Sequence, residues 1–227
     1  MSTDTPKGSF EARGPNLDLE RFAALVRSRR STRHFRPDPV PDDLLDQLLD
    51  VARWAPSGFN LQPTHFVVVT DHAVKALLYP ACMKQRQVLE AGATVVFTGD
   101  RDAYHNNFEQ VLELDREAEA IDPAYEKLLR WAVPLFFSTG PVGLGWLWKA
   151  VGEAVANRVV PIPSMQAVHR EYWLAKQVCL AAMAFMLAAE SAGLHTCPME
   201  GFGEPQVRSV LGIPSRQLVV VCVAVGY

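Results

Sequence analysis

The apolar residues of this chain change period several times, and each change predicts an element. Leu19, Phe22, Leu25 and Val26 recur at helical spacing, with Asn16 or Asp18 available as N-cap, which predicts a helix over about 18–29 ending in a run of arginines. Leu44, Leu45, Leu48, Leu49, Val51 and Ala52 form a second helical face, which should stop near Trp54 because Pro56 disfavours helix at the residue before it. Pro56-Ser57-Gly58 then reads as a sharp connection into a β-branched strand at His65–Thr70. Asp71 can cap a short helix, a further short helix is predicted at about 84–91, and Thr94–Thr98 reads as a strand. Residues 102–130 carry charges at mixed spacing, as an exposed helix or two would.

The second half is more apolar. Trp131–Trp148 has no charged residue across 18 positions, a borderline length for a membrane span. Pro134, Gly140, Pro141, Gly143 and Gly145 interrupt it, so a buried or pocket-covering segment is the better reading. Pro161-Ile162-Pro163 marks a loop. From about Ser164 to Ala192, Val178, Leu180, Ala182, Met183, Phe185, Met186 and Leu187 are apolar almost all round, which predicts a buried central helix with Gly193 as its C-cap. A short helix near 204–211 and a strand at Leu218–Val225 complete the order. Helices and strands mix without regular alternation and without an internal repeat, which favours an α+β fold.

Composition narrows the class. With 227 residues and 49% hydrophobic content the chain can bury a core as one domain, taken as 16–227 behind a polar, flexible arm at 1–15. A net charge of −3 argues against a general nucleic-acid binder. Cys82, Cys179, Cys197 and Cys222 lack disulfide or zinc spacing, and the six scattered histidines show no paired metal pattern. With no apolar leader in the first residues, these features together favour the cytoplasm and no membrane.

Four arginines, Arg27, Arg29, Arg30 and Arg33, fall within seven residues beside Ser31 and Thr32. Two readings fit them: a solvated basic end that complements the helix dipole, or guanidinium forks and a hydroxyl arranged for a phosphate. The segments downstream favour the second. Arg29-Arg30-Ser31-Thr32-Arg33-His34-Phe35, Pro39-Val40-Pro41, and Ala55-Pro56-Ser57-Gly58-Phe59-Asn60-Leu61-Gln62-Pro63 with Phe66 resemble the nitroreductase family of FMN enzymes. The likeness continues in Ala192-Gly193-Leu194, in Pro198-Met199-Glu200-Gly201-Phe202 and in the last strand ending Gly226-Tyr227. It is strong over 29–97 and 170–227 and weak over about 100–165, where the family builds a variable lid.

The resemblance implies a nitroreductase-like α+β fold: a central mixed, mostly antiparallel sheet wrapped by helices, with a long buried helix. It implies a homodimer with FMN at the interface. Arg29, Arg30, Ser31 and Arg33 match the family's phosphate positions, and Pro56, Ser57, Asn60 and Gln62 match the segment that crosses to the neighbour's flavin. Asn and Gln amides suit a ring with carbonyls and ring nitrogens, although ordinary turn chemistry would use the same residues. Met199, Glu200 and Gly201 match the backbone near flavin N5, and Lys84 and Gln87 match further polar contacts, with Lys84 replacing an amide. Members often add a basic tail beyond the last strand. This sequence stops at Tyr227, so either FMN is held with fewer cationic contacts or the chain has been shortened. Trp131, Trp146 and Trp148 are candidates for core or for a pocket above the flavin.

The activity implied is ping-pong hydride transfer from NADH or NADPH through flavin N5 to a flat acceptor, such as a nitroaromatic or quinone, with no side-chain nucleophile and no metal. Within the family a dehydrogenase, dehalogenase or flavin-consuming reaction is the alternative. Outside catalysis, a flavin-binding protein is.

Overall fold

A computed structural model of the chain describes residues 18–137, 145–156, 158 and 166–227. The expected arm at 1–15, the Asn16 cap and the loop at Pro161–Pro163 lie outside the described residues, as do the side chains of Trp146 and Trp148. The elements are α1 (Leu19–Ser28), α2 (Asp42–Arg53), β1 (Thr64–Val69), α3 (His72–Ala81), α4 (Gln87–Glu90), β2 (Ala93–Asp100), α5 (Ala103–Glu117), α6 (Pro123–Phe137), α7 (Gly145–Ala156), α8 (Gln166–Ser191), β3 (His195–Met199), α9 (Glu204–Leu211) and β4 (Gln217–Gly226).

Local chemistry sets several of these boundaries. The Asp18 carboxylate accepts from Glu20 N–H at the start of α1, and Asp71 accepts from Val74 N–H at the start of α3, both at 2.9 Å. Met83 and Lys84 adopt φ of 52° and 56°, so the helix expected at 84–91 is cut to the single turn of α4. At the far end of α8, Gly193 takes φ 77° and lets Leu194 N–H turn back to Ala189 O at 2.9 Å.

The four strands lie in the order β1-β2-β4-β3, every neighbouring pair antiparallel. The expected mixed character is confined to one isolated parallel bridge, Ser31 to Thr196. Opposite Phe97 and Thr98, β4 carries an extra residue between Val219 and Val221, a bulge that resets its alternation. Strand β3 is absent from the sequence-based expectations because Pro198 reads as punctuation. It is an edge strand, where a missing N–H costs nothing.

Helices cover both faces of the sheet, which explains why every residue of β2 is buried. On one face, α2 and α8 contribute Leu45, Leu48, Val178, Ala182 and Phe185 against Val95, Phe97, Val221 and Val223. On the other, α3, α4 and α9 contribute Leu78, Val88 and Val207 against Val96, Cys222 and Ala224. A third cluster joins α5 and α6 to α8 through Phe108, Leu112, Val133, Trp173 and Leu174.

One expectation is corrected here. The described parts of the apolar stretch Trp131–Trp148 belong to α6 and α7, with Val133 buried and Trp131 70% exposed. Helix α8 is central, and it is the one described helix long and apolar enough to cross a membrane, yet it is not buried all round. Its sheet-facing side is, whereas Tyr172, Leu180 and Met183 stay exposed at 66%, 47% and 39%. The reason is geometric: a helix lying on one face of a sheet can bury only the stripe that faces it. Beside that stripe, α1 has no buried residue, and Phe22, Leu25, Val51, Ala184 and Leu187 line a 500 Å³ apolar groove.

Candidate functional site

The residues singled out from the sequence gather in two clusters. The first lies along edge strand β3. Ser31 bridges to Thr196, and Thr32 N–H donates to Thr196 O at 3.0 Å, so the arginine segment is pinned to the sheet just after α1 ends. Arg29 is partly buried, and its Nη1 is enclosed with no hydrogen-bond partner. A buried guanidinium N–H without an acceptor is costly, so this atom marks a place where an anion would be welcome. Arg29 and Arg33 both act on the Cys197 thiol; burial raises its pKa, and the two guanidiniums pull against that. Arg30 behaves differently. Its Nη1 folds back onto the Arg27 carbonyl and onto the Arg29 carbonyl, as a cation at a helix end does.

Gln87 and Gly201 belong to the same cluster. Gln87 is buried on α4, where its Nε2 contacts Cys197 Sγ at 3.8 Å and donates to Gln85 Oε1 at 3.1 Å. Gln85 Nε2 in turn donates to the Gly201 carbonyl at 2.7 Å. Gly201 leaves no spare room, since a Cβ there would stand 3.3 Å from Gln85 Nε2 and 3.5 Å from Met83 Sδ. Met199 is buried at the end of β3, Glu200 is exposed, and Lys84 is exposed on the turn before α4. The short α4 is held from behind by Lys75, which is 2% exposed and donates to Ala91 O at 2.5 Å and Gly92 O at 2.9 Å. Burial pushes that ammonium below lysine's usual range.

The second cluster is the connection before β1. Its 3-10 turn, Gly58–Asn60, carries φ of 55° at Phe59 and 51° at Asn60, followed by 47° at Gln62. Three non-glycine residues in the left-handed region within four positions are unusual, and each carries strain that surrounding contacts must offset. Ser57 Oγ accepts from Gln62 N–H at 2.9 Å, and Asn60 Oδ1 lies 3.4 Å from Gln62 Nε2. From α8, Gln177 Oε1 accepts from Gly58 N–H at 2.8 Å, and a Cβ on Gly58 would meet Trp173 Nε1 at 3.0 Å. Pro56, Ser57, Gln62, Phe66, Gln177 and Ala181 help line a 250 Å³ cavity at this place.

The two clusters are far apart. One flanks edge strand β3 and the other leads into the opposite edge, β1, at the end of the sheet where β4 begins. Three strand spacings across and several residues along put them on the order of 20 Å apart in one chain. The sequence pointed to both clusters but not to Gln85, Lys75, Trp173 or Gln177, which act from outside the recognisable segments. Gln177, an amide on the sheet side of an apolar helix, carried the one signal that could have exposed it.

An α+β sheet with helices on both faces, an arginine segment bridged to one edge and an amide-bearing turn at the other place the chain among known proteins. The Nitroreductase family matches residues 26–227, and the chain belongs to it. An NADH dehydrogenase of Thermus thermophilus is 31% identical over 96% of this chain and 90% of its own length. A nitroreductase of Mycolicibacterium smegmatis is 27% identical over 91% of this chain and 83% of its own. A protein of Exiguobacterium sibiricum, solved in complex with FMN, superposes with a TM-score of 0.67 at 24% identity, covering 94% of this chain and 89% of that one. The protein is an oxidoreductase of the nitroreductase family.

Proposed function

We propose that the chain is an FMN-dependent oxidoreductase that moves hydride from NADH or NADPH to a flat acceptor, a nitroaromatic or a quinone. It works as a homodimer in which each FMN is shared by two chains. The observation that carries this reading is Arg29 Nη1, a buried guanidinium donor with no acceptor, in a segment tied to β3 beside Gly201. A phosphate is the acceptor that such a fork fits best.

The residues present suit FMN. Arg29, Ser31 and Arg33 would bind its phosphate, while Arg30, turned onto its own backbone, contributes charge only. Gln87, Lys84 and the Met199-Glu200-Gly201 backbone would face the ring, and Pro56, Ser57, Asn60 and Gln62 of a second copy would complete it. When bound, FMN supplies the hydride chemistry, accepting from a nicotinamide and donating to an acceptor that takes its place. The second copy follows from the separation of the clusters, because neither can serve the site formed by the other in the same chain. The exposed Leu180, Met183 and Phe22 supply an apolar surface for that contact. One domain and a cytoplasmic setting go with the reading, supported by a family match to residue 227 and four free thiols.

The test is direct. Purified protein should be yellow, absorbing near ~450 nm as a bound flavin does. NADH or NADPH should bleach it, and a nitroaromatic or quinone should restore the colour. Colourless protein that takes up no FMN overturns the proposal; bleaching only by another kind of donor overturns the nicotinamide step alone.

A further inference from the structure

The amide relay behind Gly201 runs from Gln87 through Gln85, a residue outside the segments matched to the family. Gly201 sits in a tight turn: Phe202 N–H donates to Glu200 O at 3.0 Å, and the Gly201 carbonyl is taken by Gln85 Nε2 at 2.7 Å. Both fix the turn from the protein side. Among the described residues the Gly201 N–H itself meets no backbone acceptor. The orientation of Gln85 comes from its neighbours, since a carbonyl can only accept and must therefore face the amide NH2. Gln87 then locks it by donating to Gln85 Oε1 at 3.1 Å, and Gln87 is itself 6% exposed. The backbone delivers Gln85 at some cost, because Met83 and Lys84 before it both take left-handed φ.

We propose that Gln85 is a positioning residue: its amide, oriented by Gln87, holds the Glu200–Gly201–Phe202 turn so that the Gly201 N–H is kept for the flavin. The inference rests on the FMN reading above and extends it to the tuning of the cofactor. Oxidised flavin offers N5 as an acceptor, whereas two-electron reduction places a proton there. A fixed N–H directed at N5 therefore favours the oxidised ring and lowers the potential of bound FMN.

Three full-length variants test this by two measurements. Gln85→Leu removes the donor, Gln85→Glu keeps the shape without a donor, and Gln87→Met leaves Gln85 free to turn. The first measurement needs no flavin: exchange of the Phe202 amide hydrogen should quicken about 10-fold in both Gln85 variants as the turn loosens. In the second, read in the uncharged Gln85→Leu, oxidised FMN should lose about 10-fold more affinity than reduced FMN, which raises the two-electron midpoint potential by ~30 mV. Gln87→Met should move the exchange readout the same way by less, and that readout, which needs no flavin, serves if the Gln85 variants do not fold. Unchanged exchange in the Gln85 variants overturns the proposal, and so does Gln85→Glu matching the parent, which would make shape the cause. Wild-type protein that binds no FMN, with exchange still faster in the variants, would instead sink the flavin reading and leave the positioning role standing.

Discussion

The arginine corner and the Pro56–Gln62 corner are built by opposite means. At the first, the backbone is pinned to a sheet edge by the Ser31–Thr196 bridge, and what is left unsatisfied is a side chain, Arg29 Nη1. At the second, the polar side chains have partners, Ser57 Oγ on the Gln62 N–H and Asn60 on the Gln62 amide, and what is uncomfortable is the backbone, with three left-handed residues. An unsatisfied cation signals a missing partner atom. A strained turn signals a surface shaped to be presented. Because the two corners lie too far apart to meet within one chain, the pair makes sense as two halves of the proposed site divided between copies of the chain.

The comparison breaks most completely if the copies are separated. Replacing Leu180→Glu together with Met183→Glu alters residues already exposed in one chain, so folding of that chain should change little. In an interface the two carboxylates would be desolvated without partners. We expect a monomer by sedimentation and FMN affinity reduced by roughly 100-fold or more, the loss of one wall of the site. A dimer with unaltered FMN affinity would place the interface elsewhere.

Removing Arg29 isolates the first corner. Arg29→Ala should weaken FMN by about 10- to 100-fold, the worth of a charged hydrogen bond to phosphate, read from quenching of flavin fluorescence. Its thermal stability should hold, because the lost Nη1 has no partner to miss it. Mixing this variant with Gln62→Ala then tests the division of labour. If each site takes Arg29 from one chain and Gln62 from the other, half of a random population is mixed dimer with one intact site in two, restoring about a quarter of the activity. No recovery on mixing would mean that both residues serve the same chain's site.

The second corner depends on α8. Gln177→Leu strands the Gly58 N–H and should cost about 1–3 kcal/mol in urea unfolding. Gly58→Ala should give a loss of similar order by pressing on the Trp173 indole. A smaller loss at Gln177 than at an exposed α8 position such as Lys176 would mean that the turn holds itself.

How far the sequence carried depended on the range of the interaction. Helix starts at Asp18 and Asp71 and the stop at Gly193 were legible because the capping atoms are neighbours in the chain. Strand β3 was not, since Pro198 is tolerated only because the sheet ends there, and an edge is a property of the assembled sheet. Half-exposure of α8 was missed for the same reason: Leu180 and Ala181 look alike until the position of the sheet is known. At the site, the arginines and the Pro56–Gln62 turn were legible as segments. Gln85 meets Gly201 across 116 positions, and Gln177 meets Gly58 across 119, and no local pattern announces either.

The smallest effect separates strain from function within the second corner. Asn60 sits at φ 51°, so Asn60→Gly relieves a left-handed residue while loosening the unfolded chain. These oppose each other at about the same size, and thermal unfolding should shift by less than about 0.5 kcal/mol. FMN affinity should nonetheless fall about 2- to 10-fold, because the Asn60 amide is lost from the surface offered to the second chain's flavin. Stability and affinity moving together would mean that Asn60 serves the turn. Affinity moving alone would mean that the turn, strain included, exists to hold that amide out to a partner.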